Sequence, residues 1–324
     1  MATRDASSRL TLLEQAKRKD PDGDTAIIAE VLAETNEIIQ DAPLAEANNQ
    51  YGHKVVRRAS LPSGTWRVMN DGVGVEASQT DEYTESIGQL ESYSVIDKAL
   101  YDGDPNPEAF RNSEIMAFLE GMSQTLATTF IYGDATVNTE RFTGLAPRLN
   151  ATTLSNVYSA GGTGSTNTSI FIVQWGLSKV FAIHPRGHSK LGVTRKDLGE
   201  KTWPGQTSGT TYQAMVDHFK FSLGFAVKDP RCIARICNID ISTVATAATW
   251  ENTVIQALNE MPQRGHGATL YCNSDVYTML DIYAKDKTNV RYGHKDAFGK
   301  DVMTFKGHPI KLVDAILSTE GKVS

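Results

Sequence analysis

Two histidines four residues apart, His184 and His188, are the sharpest candidates for chemistry in the chain. On a helix that spacing turns both imidazoles to one side and suits zinc. Here Pro185 and Gly187 interrupt His184-Pro185-Arg186-Gly187-His188, and no HExxH glutamate accompanies the pair. The segment reads as a polar loop capping a strand. Gly161-Gly162-Thr163-Gly164-Ser165 shares only its glycines with a phosphate cradle. No Lys-Ser/Thr pair follows it, and Leu154 to Tyr158 makes a poor preceding strand. His53, His218, His266, His294 and His308 have no evident Cys or Asp partner and read as surface or satisfied core residues. Cys232, Cys237 and Cys272 are too few and too scattered for a disulfide framework or a zinc ribbon. They read as buried thiols in a reducing compartment. No catalytic residue, metal site or cofactor is indicated, and the chain is not expected to be an enzyme.

Composition narrows the classes further. A chain of 324 residues can build one elaborate domain or two ordinary ones with ample core. Its 40% hydrophobic content, with 26 glycines, is ordinary for a globular protein. The formal charge of −6 argues against a dedicated nucleic-acid binder, which carries a basic surplus. The opening MATRDASSR has no apolar core of a signal peptide, and no apolar run is long enough to span a bilayer.

With no reactive centre to position, the elements themselves become the subject. Asn106 to Asp134 carries clear helix start and stop signals: Asn106 as cap, Pro107 at the first helical position, Glu108 and Glu114 in the early turns, and Gly133 at the end. Ile115, Phe118, Leu119, Met122, Leu126 and Phe130 recur at steps of three and four, which defines one face. From Pro107 to Tyr132 such a helix is a rod of roughly 39 Å.

Before it, residues 7–19 and 25–39 read as two amphipathic helices around the turn Asp20-Pro21-Asp22-Gly23-Asp24. They either reach out and dock elsewhere or pack as a subdomain on their own chain. Asp41-Ala42-Pro43 ends the helical part. His53–Ala59 and Thr65–Met69 read as two strands joined by Leu61-Pro62-Ser63-Gly64. Isolated hairpins are marginal in water. This one carries Lys54, Arg57 and Arg58 with Trp66 as a large anchor, which suits a protein–protein contact. The alternative is an edge hairpin guarded by its own charges. Thr84–Val95 reads as extended chain, and Asp81, Glu82, Glu85 and Glu91 make that stretch an acidic complement to the basic hairpin.

After the long helix, residues 150–168 read as a surface loop. Ser169–Trp175 and Lys179–Ile183 read as an apolar strand pair around Gly176-Leu177-Ser178, and Thr211–Val227 as β-rich. Pro230–Ile236 reads as a short helix or a strand. Helices are expected at Thr249–Met261 and from Ser274 or Asp275, as N-cap, to Ala284. Strands are expected at Thr269–Cys272, Met303–Phe305 and Ile310–Val313. Strands alternate with helices, so the class is α+β or α/β.

Three motifs in this order carry a resemblance. Tyr132-Gly133-Asp134 is followed by Phe142-Thr143-Gly144-Leu145-Ala146-Pro147-Arg148. Leu61-Pro62-Ser63-Gly64-Thr65-Trp66-Arg67 lies upstream, and Phe305-Lys306-Gly307-His308-Pro309-Ile310 near the end. Together they resemble the major capsid proteins of tailed bacteriophages, the Hong Kong 97-type α+β fold, in a subgroup of short-tailed phages. The resemblance covers nearly the whole chain. It implies an N-arm over 1–50, an E-loop over 51–80, a P-domain over 81–150 with its spine helix at 107–132, an A-domain over 151–285, and a return to the P-domain over 286–324.

It also implies hexamers and pentamers of an icosahedral virion shell around double-stranded DNA, assembled in the bacterial cytoplasm without a membrane. DNA contact would be loose and independent of sequence. Because no built-in scaffold of roughly a hundred residues leads the chain, a separate scaffolding protein is expected; a portal protein and a cement protein are further partners. Inter-subunit contacts are expected at Lys54, Arg57, Arg58, Trp66, Asp81, Glu82, Glu85 and Glu91. The rival readings are an encapsulin-like compartment with the same fold, and a soluble metal-dependent enzyme using His184 and His188.

Overall fold

The computed structural model describes residue 34 and residues 36–50, 52–187, 194–241, 249–284, 292–297 and 300–324. The expected helix at 7–19 and most of that at 25–39 lie outside them, as does His188. In chain order the elements are α1 (Ile38–Asp41), β1 (Leu44–Glu46), β2 (Gly52–Ser60), β3 (Gln79–Asp97), α2 (Lys98–Asp102), α3 (Pro107–Tyr132), α4 (Leu145–Arg148), β4 (Val157–Ser159), β5 (Asn167–Gln174), β6 (Val180–His184), β7 (Thr194–Pro204) and β8 (Thr211–Val227). The chain continues through β9 (Ile233–Asp240), α5 (Thr249–Glu260), β10 (Ala268–Cys272), α6 (Ser274–Ala284), β11 (Tyr292–Ala297), β12 (Lys300–Phe305) and β13 (His308–Leu312).

Helix α3 spans the expected residues. The Asn106 side chain accepts from the Ala109 amide at 3.4 Å, and Pro107 begins the helix, where its missing N–H leaves no bond unmade. Of the expected stripe, Ile115, Met122, Leu126 and Phe130 are buried and Phe118 and Leu119 half-buried.

The chain divides into two compact units. The smaller contains 89–126 and 190–222. In it Ile115 and Met122 close on Phe219, Phe118 stacks on Phe219 at 5.8 Å between centroids, and Ile96, Leu100 and Phe110 form a second apolar cluster. Strand β7, absent from the sequence-based reading, runs antiparallel to β8 from Thr194↔Lys220 to Pro204↔Thr211. Its residues are mostly polar and exposed, so no apolar alternation announces it. Buried Arg111 forks onto Asp217 at 2.8 and 3.0 Å and reaches Asp197 at 2.6 Å, while Arg195 bonds the same Asp217 at 2.9 Å. Burial pulls against the charge on Arg111, but the hydrogen bonds of Asp217 and Asp197 outweigh it and raise its pKa.

The larger unit contains 35–88, 127–189 and 223–324, and the strands of the chain form two sheets. One has the order β1-β6-β8-β3-β2, and the other β11-β12-β13-β10-β5-β9-β4. In the second sheet β5, β9 and β10 are buried almost throughout. Ile170, Ile172, Ile236, Leu270 and Phe305 pack with Trp250, Val254 and Leu258 of α5 and Val276 and Leu280 of α6. Each such side chain contributes roughly 1.5–3 kcal/mol by leaving water. The turn between β12 and β13 has positive φ at Lys306 (51°) and Gly307 (83°), which matches the twist of a two-residue hairpin.

Four local expectations are corrected. Thr65–Met69 is not a strand; β2 pairs instead with β3, whose alternating residues give a longer ladder than a run flanked by Pro62 and Gly64. Strands β5 and β6 lie in different sheets and share only the bridge Trp175↔Val180, because the tight turn at Gly176 redirects the chain. Residues 150–168 are not a loop throughout: Val157–Ser159 pairs parallel with β9, and Asn167 and Thr168 are fully buried. Helix α6 is capped by Asn273, whose side-chain Oδ1 accepts the Val276 amide at 3.1 Å, and not by Ser274 or Asp275.

Candidate assembly interface

The hairpin of β2 and β3 is poorly covered by its own chain over the outer half of β2 and at its tip. Its ladder runs from Gly52↔Ser86 to Ser60↔Gln79 with an irregularity between Arg58 and Ser60. Within β2 only Gly52 and Val55 are buried, and every residue from Val56 to Ser60 is exposed. Residues 61–78 form the tip and are exposed without exception. The tip is shaped by Glu76, whose carboxylate accepts the Ser63 and Gly64 amides at 2.7 and 3.1 Å. The Gly64 and Ser63 bonds hold the Glu76 carboxyl below its ordinary range. Gly64 sits at φ 70°, which a side chain disfavours. The tip displays Leu61, Trp66, Val68, Met69, Val73 and Val75, and Trp66 and Val75 are fully exposed. An apolar cluster left in water marks a contact surface.

The eight residues expected at subunit contacts separate into two groups. Glu85 is buried and receives both arms of the Arg148 guanidinium at 2.7 and 2.6 Å. Glu91, in the smaller unit, bonds Lys220 and His218 at 3.1 Å each, and the Lys220 bond leads in holding its carboxyl low. Those two acids serve their own chain. Lys54 and Glu82 form an exposed ion pair at 2.7 Å across the hairpin. Arg57, opposite Asp81 in the ladder, lies 4.8 Å over the Tyr83 ring. Arg57, Arg58, Trp66 and Asp81 stand exposed.

Residues 36–47 are clamped to the larger unit. The Asn36 side chain accepts the Ala315 amide at 3.1 Å, Ile38 is fully buried, and β1 pairs parallel with β6. Tyr271 donates to Asp41 at 2.6 Å, and Lys311 reaches the same carboxylate.

The Tyr132-Gly133-Asp134 and Phe142–Arg148 motifs are a structural joint. The Gly133 amide bonds Thr129 O at 2.8 Å, and the Gly144 amide bonds Gly133 O at 2.8 Å. This lays the second motif against the end of α3. A Cβ on Gly144 would meet Phe130 O at 2.5 Å and Thr129 O at 2.6 Å. Beside the joint lies a buried network that the sequence reading missed. Arg235 bonds Glu320 at 3.0 Å, Ser169 Oγ at 3.0 Å and Leu149 O at 3.0 Å. Ser169 also donates to Glu320, and Tyr132 donates to its other oxygen at 2.6 Å. Burial, then Glu320, pushes the Tyr132 phenol well above its usual pKa. The one sequence signal was an arginine inside the otherwise apolar run Ile233–Cys237.

Reactive chemistry finds no centre in the residues described. His184 ends β6 with Nδ1 3.2 Å from Pro185 O, and no group of three His, Cys, Asp or Glu able to hold a metal occurs among the described residues. His218 is a satisfied histidine, bonded to Glu91 at 3.1 Å. The three cysteines are buried thiols, and burial pushes Cys232 up to about 11. No helix among the described residues is long and apolar enough to cross a membrane.

Comparison with known proteins gives this surface a context. The family described as Major capsid protein GP7 matches residues 20–324. A chain from the cryo-EM structure of bacteriophage epsilon15 is 35% identical, with 100% of this chain and 99% of that chain covered and a TM-score of 0.77. Two more distant likenesses are the capsid of a native GTA particle (12% identity, 68% and 95% covered, TM-score 0.46) and the SrpI encapsulin of Synechococcus elongatus (10%, 71% and 96%, 0.41). No curated protein matches the chain. The chain belongs to the GP7 family of major capsid proteins: it is a structural, non-enzymatic subunit of a tailed-bacteriophage shell, with the Hong Kong 97-like α+β fold.

Proposed function

We propose that copies of this chain associate as hexamers and pentamers into an icosahedral shell around double-stranded DNA, assembled in the bacterial cytoplasm. The observation that carries this reading is the hairpin tip, whose six large apolar residues stand uncovered on their own chain. Neighbouring copies supply the missing cover, with Lys54, Arg57, Arg58, Trp66, Asp81 and Glu82 at the contact; Glu85 and Glu91 support the hairpin from within. Residues 1–50 act as N-arm, 51–80 as E-loop, 81–150 and 286–324 as P-domain, and 151–285 as A-domain. The two compact units are a different partition, since they divide α3 at residue 126. A scaffolding protein, a portal protein and a cement protein are the partners of this reading. The net charge of −6 fits a shell that holds its DNA loosely.

Exposed charge pairs set register more than affinity, each contributing about 0–1 kcal/mol. Reversing both cations places two repulsive groups at every contact. The double variant Arg57→Glu/Arg58→Glu is therefore expected to fold, by circular dichroism, yet to yield no regular particles in negative-stain microscopy. Normal particles from that variant would remove these residues from the contact.

A further inference from the structure

An open pocket of about 420 Å³ lies at the root of the same hairpin. Tyr83, Leu154 and Ile233 give it apolar surface, and Arg57, Arg148 and Arg231 bring three guanidinium groups to it. Two are neutralised in place: Arg148 by Glu85, and Arg231 by Asp229 at 2.9 Å. Arg57 has no ion-pair partner among the described residues and lies over the Tyr83 ring. The buried Nε–H of Arg148 has no acceptor among the described residues. The pocket thus combines apolar wall, stacking cations, one uncompensated positive charge and one idle donor.

The complementary group is on the same chain, at the other end of the hairpin. Trp66 is fully exposed, and Asp71 follows it in the tip. An indole fits an apolar pocket lined with guanidinium groups, because its face attracts cations, and a nearby carboxylate answers the surplus charge. The ladder from Gly52 to Ser60 stands between root and tip, and Trp66 does not reach its own pocket. We propose that Trp66 of one copy seats in the Arg57–Arg148–Arg231 pocket of the next copy. Tip and root are different surfaces, so the contact is head-to-tail and repeats from copy to copy. Such a contact closes into a ring when its rotation permits, which is the geometry of a hexamer or pentamer. The inference rests on the reading that copies of the chain form rings within a shell.

Photo-crosslinking tests it. Full-length, isotope-labelled chain carrying p-benzoylphenylalanine in place of Trp66 is co-assembled as a minority with unmodified chain, the particles are irradiated, and linked peptides are mapped by mass spectrometry. The expected links join position 66 to 57, 83, 148, 154–156 or 227–233 of an unlabelled copy. Links to other segments, to the same chain or to DNA would overturn the pocket contact while leaving the shell reading intact. Failure of the unmodified chain to form particles both alone and with a scaffolding protein would overturn both. Trp66→Ala is expected to raise the subunit concentration for half-assembly by at least about tenfold, the loss of a buried aromatic anchor. An unchanged assembly curve for that variant would also overturn the proposal.

Discussion

Arg235→Met destabilises the subunit by about 3–5 kcal/mol in urea titration of the full chain, because it strands a buried carboxylate. Glu320 and Arg235 are both nearly closed to water, and removing the cation leaves Glu320 with only the Ser169 and Tyr132 hydroxyls. The Leu149 carbonyl also loses its donor. The double variant Arg235→Met/Glu320→Leu recovers a large part of the loss, since replacing both members of a buried pair by apolar groups is often close to neutral. If the single variant unfolds at the wild-type urea concentration, the network does not hold the joint together. The Tyr132 phenol adds an alkaline signature. Its folded pKa is raised, so its contribution is complete below the unfolded value of about 10 and falls away as pH rises through the folded value. Tyr132→Phe removes that part of the alkaline destabilisation.

Gly144→Ala has an effect of similar size for a different reason. The added methyl would sit 2.5 and 2.6 Å from two backbone carbonyl oxygens, and neither can swing aside as a side chain would. Overpacking costs about 1–3 kcal/mol where side chains can shift. Here the chain after α3 must separate from it, so the loss lies at or above the upper end. Gly121→Ala is the opposite control. Gly121 lies exposed inside α3 with open space around it, so alanine stabilises by about 0.5–1 kcal/mol. Equal midpoints for the two variants would refute the reading of Gly144 as a point of close backbone approach.

The long helix was legible because its signals are local. Asn106, Pro107 and the spacing of Ile115, Met122 and Phe130 need no knowledge of the rest of the chain. The extended run at 84–95 and the helix at 249–260 were legible on the same terms. What failed was pairing. Ser169–Trp175 and Lys179–Ile183 read as neighbours, yet their partners come from 233–240, 268–272, 211–227 and 44–46. Strand propensity does not name the partner, and tertiary contacts decide it. Thr65–Met69 has a strand's composition, but the alternation of 79–97 forms the ladder.

The proposed contact site was legible in part. The exposed tip with Trp66 follows from the turn chemistry of Leu61–Gly64 and a segment with little to bury. The split among the charges was not, because Arg148 reaches Glu85 across 63 positions of sequence. Arg111–Asp217 and Arg235–Glu320 are separated by 106 and 85 positions.

Electron microscopy of the purified full-length chain, alone and with a scaffolding protein, tests the central claim most directly. The account predicts closed icosahedral shells in which hairpin 52–97 of each subunit lies against another copy. A small monodisperse oligomer that carries stoichiometric metal and forms no shell under either condition would contradict it.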